Sequence, residues 1–133
     1  MSMVFLDTVG LLAIWDEADQ WHETADRTYR ALLGQRRQVV TTSFILLECG
    51  NAAARKAYRQ NVEDLRQLLE RSQKLIHPTP ADWETAWHAY QQGEHDGAGI
   101  VDQVSFTVMR RLGLRQAFTN DRHFRAAGFE LCF

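Results

Sequence analysis

Cysteine is scarce in this chain. Cys49 and Cys132 lie far apart without a CxxC spacing, which argues against a disulfide framework and against a thiolate zinc site. They read as two small buried hydrophobes in a reducing compartment. Proline is equally rare, with two residues, and no repeat or biased segment is present, so the chain is not disordered, collagenous or of low complexity. No apolar run approaches the ~20 residues needed to span a bilayer. The short apolar stretch before Asp7 has no basic flank and no cleavage-type segment, so a signal peptide is not expected and the expected location is the cytoplasm. An excess of one charge is also missing. Fifteen basic residues face 17 acidic ones for a net charge of −2, which leaves no uniformly basic surface for nucleic acid. Lysine is confined to Lys56 and Lys74, so the cations are nearly all arginine, the better bidentate phosphate ligand. Composition thus neither demands nor excludes a nucleic-acid substrate.

What is there suits one folded unit. The 133 residues are 45% hydrophobic and 11% aromatic, the size and composition of a single domain over 1–133 with a real core. Met3 to Leu6 reads as a buried strand, followed by a short helix from Val9 to Trp15. Trp21, Ala25, Thr28, Tyr29 and Leu32 recur at helical spacing up to Gly34. Gln38 to Thr41 is a second strand. Thr42 or Ser43 then caps a helix running to about Tyr58. Val62, Leu65, Leu68 and Leu69 mark another helix, and Lys74 to His77 a third strand. Thr79-Pro80-Ala81-Asp82 is a helix start, and Trp83, Ala86, Trp87 and Tyr90 give that helix an aromatic face. Gly93 to Gly99 reads as loop, Ile100 to Leu112 as a helix ended by Gly113. Ala117 to Thr119 is a fourth strand, Arg122 to Ala127 a short helix and Phe129 to Phe133 a last strand. Strands alternating with helices predict an α/β fold with a mainly parallel sheet covered on both faces.

Ligands bind such sheets at the carboxyl ends of the strands, and four acids fall there. Asp7 ends the first strand and Asp121 follows the fourth. Glu48 lies in the second turn of the helix after the second strand, and Asp102 in the first turn after the glycine loop. Asp7, Glu48 and Asp102 stand in apolar surroundings, VFLDT, ILLECG and GIVDQV. Burying a carboxylate alone is costly, and two of them ~5 Å apart repel by about 3 kcal/mol at an effective dielectric of 20. Four converging acids therefore need a cation. An all-oxygen ligand set suits Mg2+ or Mn2+ rather than zinc, and clustered carboxylates holding such ions are an apparatus for cutting phosphodiesters.

The segments VFLDT (4–8), TTSFILLECGNAA (41–53), IVDQVSFTVMRRLGL (100–114) and AFTNDRHFRAAGFE (117–130) carry a family resemblance. The chain resembles PIN-domain ribonucleases, most closely the VapC-type toxins of bacterial toxin–antitoxin pairs. That resemblance implies a three-layer α/β/α domain, a metal-dependent endoribonuclease activity, a homodimer and a cognate antitoxin. By position, Asp7, Glu48, Asp102 and Asp121 match the family's acidic quartet, Thr119 its hydroxyl residue and Asn51 a frequent neighbouring amide. Two residues depart from the pattern. Gly99 stands where relatives often have a capping serine, and Gln103 where a small residue is usual.

Other residues admit a plainer role beside a chemical one. Asp96 reads as a solvated loop charge rather than a fifth acid, and His123 as a structural histidine rather than an acid, base or phosphate contact. The five histidines show no HExxH-type spacing, and Gly93, Gly97 and Gly99 lack the GxxxxGK[ST] of a nucleotide-binding loop. Trp15, Trp21, Trp83 and Trp87 read as core or helix-interface residues. Arg110, Arg111, Arg115, Arg122 and Arg125 form either a phosphate rim or an ordinary solvated face. Two other functions stay open on the residues alone: a non-toxin or inactive module that binds protein, and a metal-dependent phosphatase. Phosphatases of that kind show a second aspartate two residues after the first, where this chain has Val9.

Overall fold

In the computed structural model, which describes residues 3–133, the apolar run at the start becomes the middle of the sheet. β1 (Met3–Leu6) buries Val4, Phe5 and Leu6 completely, as a strand must when helices cover both faces. Beside it lie β2 (Gln38–Thr42) and β4 (Gln116–Phe118), with β3 (Leu75–Ile76) and β5 (Glu130–Leu131) at the edges. The order is β3-β2-β1-β4-β5 and every pair is parallel. Phe5 stands opposite both Val40 and Ala117, and this registry places the residues after β1 and β4 side by side.

The helices are α1 (Thr8–Trp15), α2 (His22–Gly34), α3 (Ser43–Ala53), α4 (Arg59–Arg71), α5 (Pro80–Gln91), α7 (Ile100–Leu112) and α8 (Arg122–Ala126). A single turn, α6 (Glu94–Gly97), precedes α7. With helices on both sides of the sheet, the architecture is the expected three-layer α/β/α. Gly10 lets α1 lie directly on β4: a Cβ there would sit 2.1 Å from the Phe118 carbonyl oxygen.

Several boundaries differ from the sequence reading, each for a local reason. The helix expected to reach Tyr58 stops at Ala53, and the chain turns so that Leu65 and Leu69 of α4 reach the core. Burial outweighs the helix-forming character of residues 54–58. Gly34 does not end α2; it is its last helical residue. Arg36 instead takes the left-handed position (φ 58°) and the Arg37 N–H donates to the Leu32 carbonyl. Gln73 does the same after α4, whereas α7 does end at Gly113. Segment 93–99 is not plain loop: His95 and Asp96 share the left-handed region with Gly97. The last strand shrinks to Glu130–Leu131.

Three of the four tryptophans are more exposed than core residues would be. Trp15 packs against the core, but Trp21, Trp83 and Trp87 are 45%, 46% and 38% exposed. Cys49 is buried as expected, while Cys132 is only half-buried.

Candidate active site

β4 ends one residue earlier than its apolar pattern suggests, and that shift builds the site. Thr119 has left the strand, and its N–H turns back to the Ala117 carbonyl. Because Leu6 pairs with Phe118, the next residues on the two strands, Asp7 and Thr119, become neighbours. Both are buried. The Thr119 hydroxyl donates to Asp7 Oδ2 at 2.8 Å and accepts the Asp121 N–H at 3.0 Å. One side chain thus sets the spacing between two of the acids.

Asp121 starts α8, accepting the His123 N–H at 2.9 Å. Asp7 occupies the equivalent place before α1, yet its side chain makes no capping bond and is turned to Thr119. Glu48, on α3, accepts the Thr8 hydroxyl at 2.6 Å. Thr42 fixes the start of α3 by accepting the Ile45 N–H, and Thr41 donates to the Leu6 carbonyl at 2.6 Å, tying β2 to β1 just before Asp7. Asp102 sits half-buried in the first turn of α7.

These acids feel one another. Burial, with the charges of Asp102 and Asp121, pushes Asp7 up from the usual carboxylate value to about 7, against the bond from Thr119. Burial and the charges of Asp121 and Glu48 push Asp102 up to about 6, and His123 opposes this. Among the described residues, Asp7, Glu48 and Asp102 form no ion pair with lysine or arginine. The negative charge at this end of the sheet is left for something outside the chain to neutralise.

The tightest grouping is not the four acids. Oxygens of Asp102 and Asp121 and a ring nitrogen of His123 lie within 4.8 Å of one another. His123 Nδ1 is 2.8 Å from Asp121 Oδ1. Asp7 and Glu48 stand outside this group and reach it through their charges. From the sequence His123 reads as a structural histidine; its place in the first turn of the helix that Asp121 starts was the available signal for a place beside the acids. Such a group, two carboxylates and an imidazole, is chemically suited to a divalent cation.

Three of the five arginines, Arg110, Arg111 and Arg115, do not rim the acids. Arg111 makes a two-pronged bond to Asp82, at 3.0 and 2.7 Å. Arg110 lies over the Phe129 ring and donates to the Ala127 carbonyl. Both are more than two turns along α7 from Asp102, ~12 Å along its axis. Arg115 precedes β4, at the amino end of the sheet, while Arg122 and Arg125 are exposed on α8. Asp96 is exposed on its left-handed turn. Asn51 is exposed too, and with Phe44, Leu47, Glu48 and Val101 it lines a shallow cavity of about 190 Å³.

The PIN-domain family model matches residues 4–130. The chain belongs to the PIN-domain family. This PIN chain is 30% identical over 128 residues to the 23S rRNA-specific endonuclease VapC20 of Mycobacterium tuberculosis, covering 96% of this chain and 95% of the relative. The crystal structure of that VapC20, described as a Sarcin-Ricin loop cleaving toxin, superposes with a TM-score of 0.77 at 26% identity, covering 95% of both chains. More distant structures share the PIN fold alone. FitAcB from Neisseria gonorrhoeae gives a TM-score of 0.65 at 16% identity, covering 97% of this chain and 96% of the other. VapBC2 from Rickettsia felis, bound to a DNA fragment from its promoter, gives 0.63 at 13% identity with the same coverage.

Proposed function

We propose that this PIN-domain chain is a Mg2+- or Mn2+-dependent endoribonuclease and the toxin of a toxin–antitoxin pair, acting as a single domain over 1–133 in the cytoplasm. The observation that carries the reading is the cluster of mutually repelling carboxylates, Asp7 buried and the others half-buried, with no lysine or arginine partner among the described residues. The likeness to a 23S rRNA-specific endonuclease supports RNA as the substrate. No helix among the described residues is long and apolar enough to cross a membrane.

Asp7, Asp102 and Asp121 would hold the cation, with His123 beside them and Glu48 binding it or orienting the attacking water. When bound, the ion supplies a water of lowered pKa and positive charge for the leaving oxygen. The residues do the rest. Thr119 holds Asp7 by one carboxyl oxygen and fixes Asp121 through its N–H. Thr8 holds Glu48 with one oxygen engaged, leaving the other for a water proton. Burial of Asp7 excludes bulk water from the back of the site.

Two chains of a homodimer would pair through the aromatic face of α5, where Phe44, Trp83, Trp87 and Tyr90 form a continuous edge-to-face series with centroids 6.3, 5.8 and 5.3 Å apart. An antitoxin arginine reaching Asp7 or Asp121 would take the cation's place through charge-assisted bonds.

The test uses purified protein and end-labelled RNA. Cleavage is expected to stop in EDTA and return with either ion, while Ca2+ supports little cutting because its coordination is larger and looser. Cutting that persists in EDTA refutes the metal-nuclease reading.

A further inference from the structure

Two helices here start with the same spacing and opposite solutions. At α5, Thr79 and Asp82 form a complete capping box: each side chain bonds the other's backbone N–H. At α7 the equivalent residues are Gly99 and Asp102. Gly99 has no side chain to offer, and Asp102 faces Asp121 and His123. The helix that carries the candidate metal ligand therefore begins with neither half of a box.

Gln103, the next residue, is 1% exposed. Its amide nitrogen donates to the Glu94 carbonyl at 2.8 Å and, at 3.4 Å, to the Ala98 carbonyl. These two acceptors bracket the left-handed residues His95 and Asp96. With its nitrogen so engaged, the Gln103 oxygen is the acceptor for His95 Nδ1–H at 2.8 Å. His95 Nε2 then accepts from Arg110, 3.0 Å away, whose guanidinium also donates to the Ala127 carbonyl at the end of α8. A continuous strap runs from the start of α7 through the 94–98 turn to α8, the helix that Asp121 begins.

We propose that Gln103 is a positioning residue for the acidic site, holding the start of α7 and so the placing of Asp102 against Asp121. This deepens the metal-site reading above and rests on it. It also joins the two departures from the family pattern: where Gly99 gives no cap, Gln103 supplies the restraint from the other side. Gly99 has φ −68° and ψ 167°, with nothing within 4 Å of an added Cβ, so a serine fits there as a cap without strain.

The experiment titrates metal-free protein with Mn2+ alone, following the free-ion electron paramagnetic resonance signal, and measures amide hydrogen exchange over residues 94–103. Gln103→Met keeps the length and removes the donor. It is expected to weaken Mn2+ binding roughly tenfold or more and to speed exchange across the segment. Adding Gly99→Ser to it is expected to recover about twofold of the lost affinity, the modest advantage of serine over glycine at a cap, as a non-additive pair. His95→Gly is the milder variant, since glycine eases the left-handed backbone; it should fold as well as wild type and still bind Mn2+ less tightly. Unchanged exchange in Gln103→Met overturns the proposal whether or not metal binds. A wild-type protein that binds no Mn2+ overturns the metal reading instead, and the exchange arm then decides the role of Gln103 by itself.

Discussion

Replacing Asp7 by asparagine removes one charge and little else in shape. The Thr119 hydroxyl that donates to Asp7 Oδ2 can donate equally to an amide oxygen. In the folded chain Asp7 titrates near 7 rather than 3.8, chiefly because it is buried. Below pH 3.8 the carboxyl is protonated in both states. Between there and pH 7 the unfolded chain ionises while the folded one keeps its proton, so folding stability falls as pH rises. Above pH 7 the loss is complete. At 1.36 kcal/mol per pH unit, three units amount to about 4 kcal/mol. That is a ceiling, because part of the shift comes from Asp102 and Asp121, whose protonation relieves it. In EDTA at pH 8, Asp7→Asn is therefore expected to be more stable than wild type by about 2–4 kcal/mol, a rise in Tm of roughly 8–16 °C for a domain this size. The advantage should shrink steadily on going down to pH 4. With Mn2+ added, the wild type should gain and the variant should gain much less, since only the wild type binds the ion tightly in its folded state. Melting curves over this pH range, with and without Mn2+, and one cleavage assay make the measurement. A variant destabilised at pH 8 in EDTA, or an advantage independent of pH, refutes the electrostatic argument; full activity in the variant refutes the site.

Thr119→Val keeps the volume but strips the bond to Asp7 and leaves the Asp121 N–H without its acceptor. It is expected to cost about 1–3 kcal/mol in urea unfolding and to lower cleavage more than its stability loss explains. Gly10→Ala drives a methyl into the Phe118 carbonyl and should destabilise by at least ~2 kcal/mol, measured the same way. Asp82→Ala removes the α5 capping box and the partner of Arg111 together; about 1–3 kcal/mol is expected, with Mn2+ affinity unchanged. Trp87→Asp places a charge in the aromatic series and should turn the expected homodimer into a monomer by light scattering. A dimer of undiminished strength would move the interface elsewhere.

The order of strands and helices could be read directly from the chain, because apolar runs of four residues and helical runs of ten or more differ in length and period. The four acids were readable for a related reason. Asp7 and Asp121 follow strands, Asp102 opens a helix and Glu48 lies one turn further along its own, and parallel sheets bring such ends together. What sequence could not supply was distance. Asp102, Asp121 and His123 form the tight group because Thr119 and α8 turn the chain there, a three-dimensional outcome of one strand ending early. Arg111 was open between a phosphate ligand and a solvated surface charge, and it is neither, because Asp82, 29 residues away, takes both prongs of its guanidinium. Arg36 and Gln73 end their helices in a conformation glycine favours, costing roughly 1–2 kcal/mol each, so the glycine rule pointed two residues short at Gly34. Trp83 and Trp87 lie on an outer face, which hydrophobicity alone cannot tell from an inner one.

β1 is both the earliest strand and the central one, and its hydrogen-bonded neighbour on one side is β4, with Asp7 and Thr119 separated by 112 residues. A polypeptide emerging from the ribosome can fold its amino-terminal parts first, but half of this sheet has no partner until Gln116–Phe118 is made. Every earlier length of nascent chain holds Asp7 and Glu48 without Thr119 or Asp121. Assembly of the candidate site thus waits on β4. A messenger truncated before codon 121, or a ribosome stalled there, yields a product in which the four candidate acids never come together.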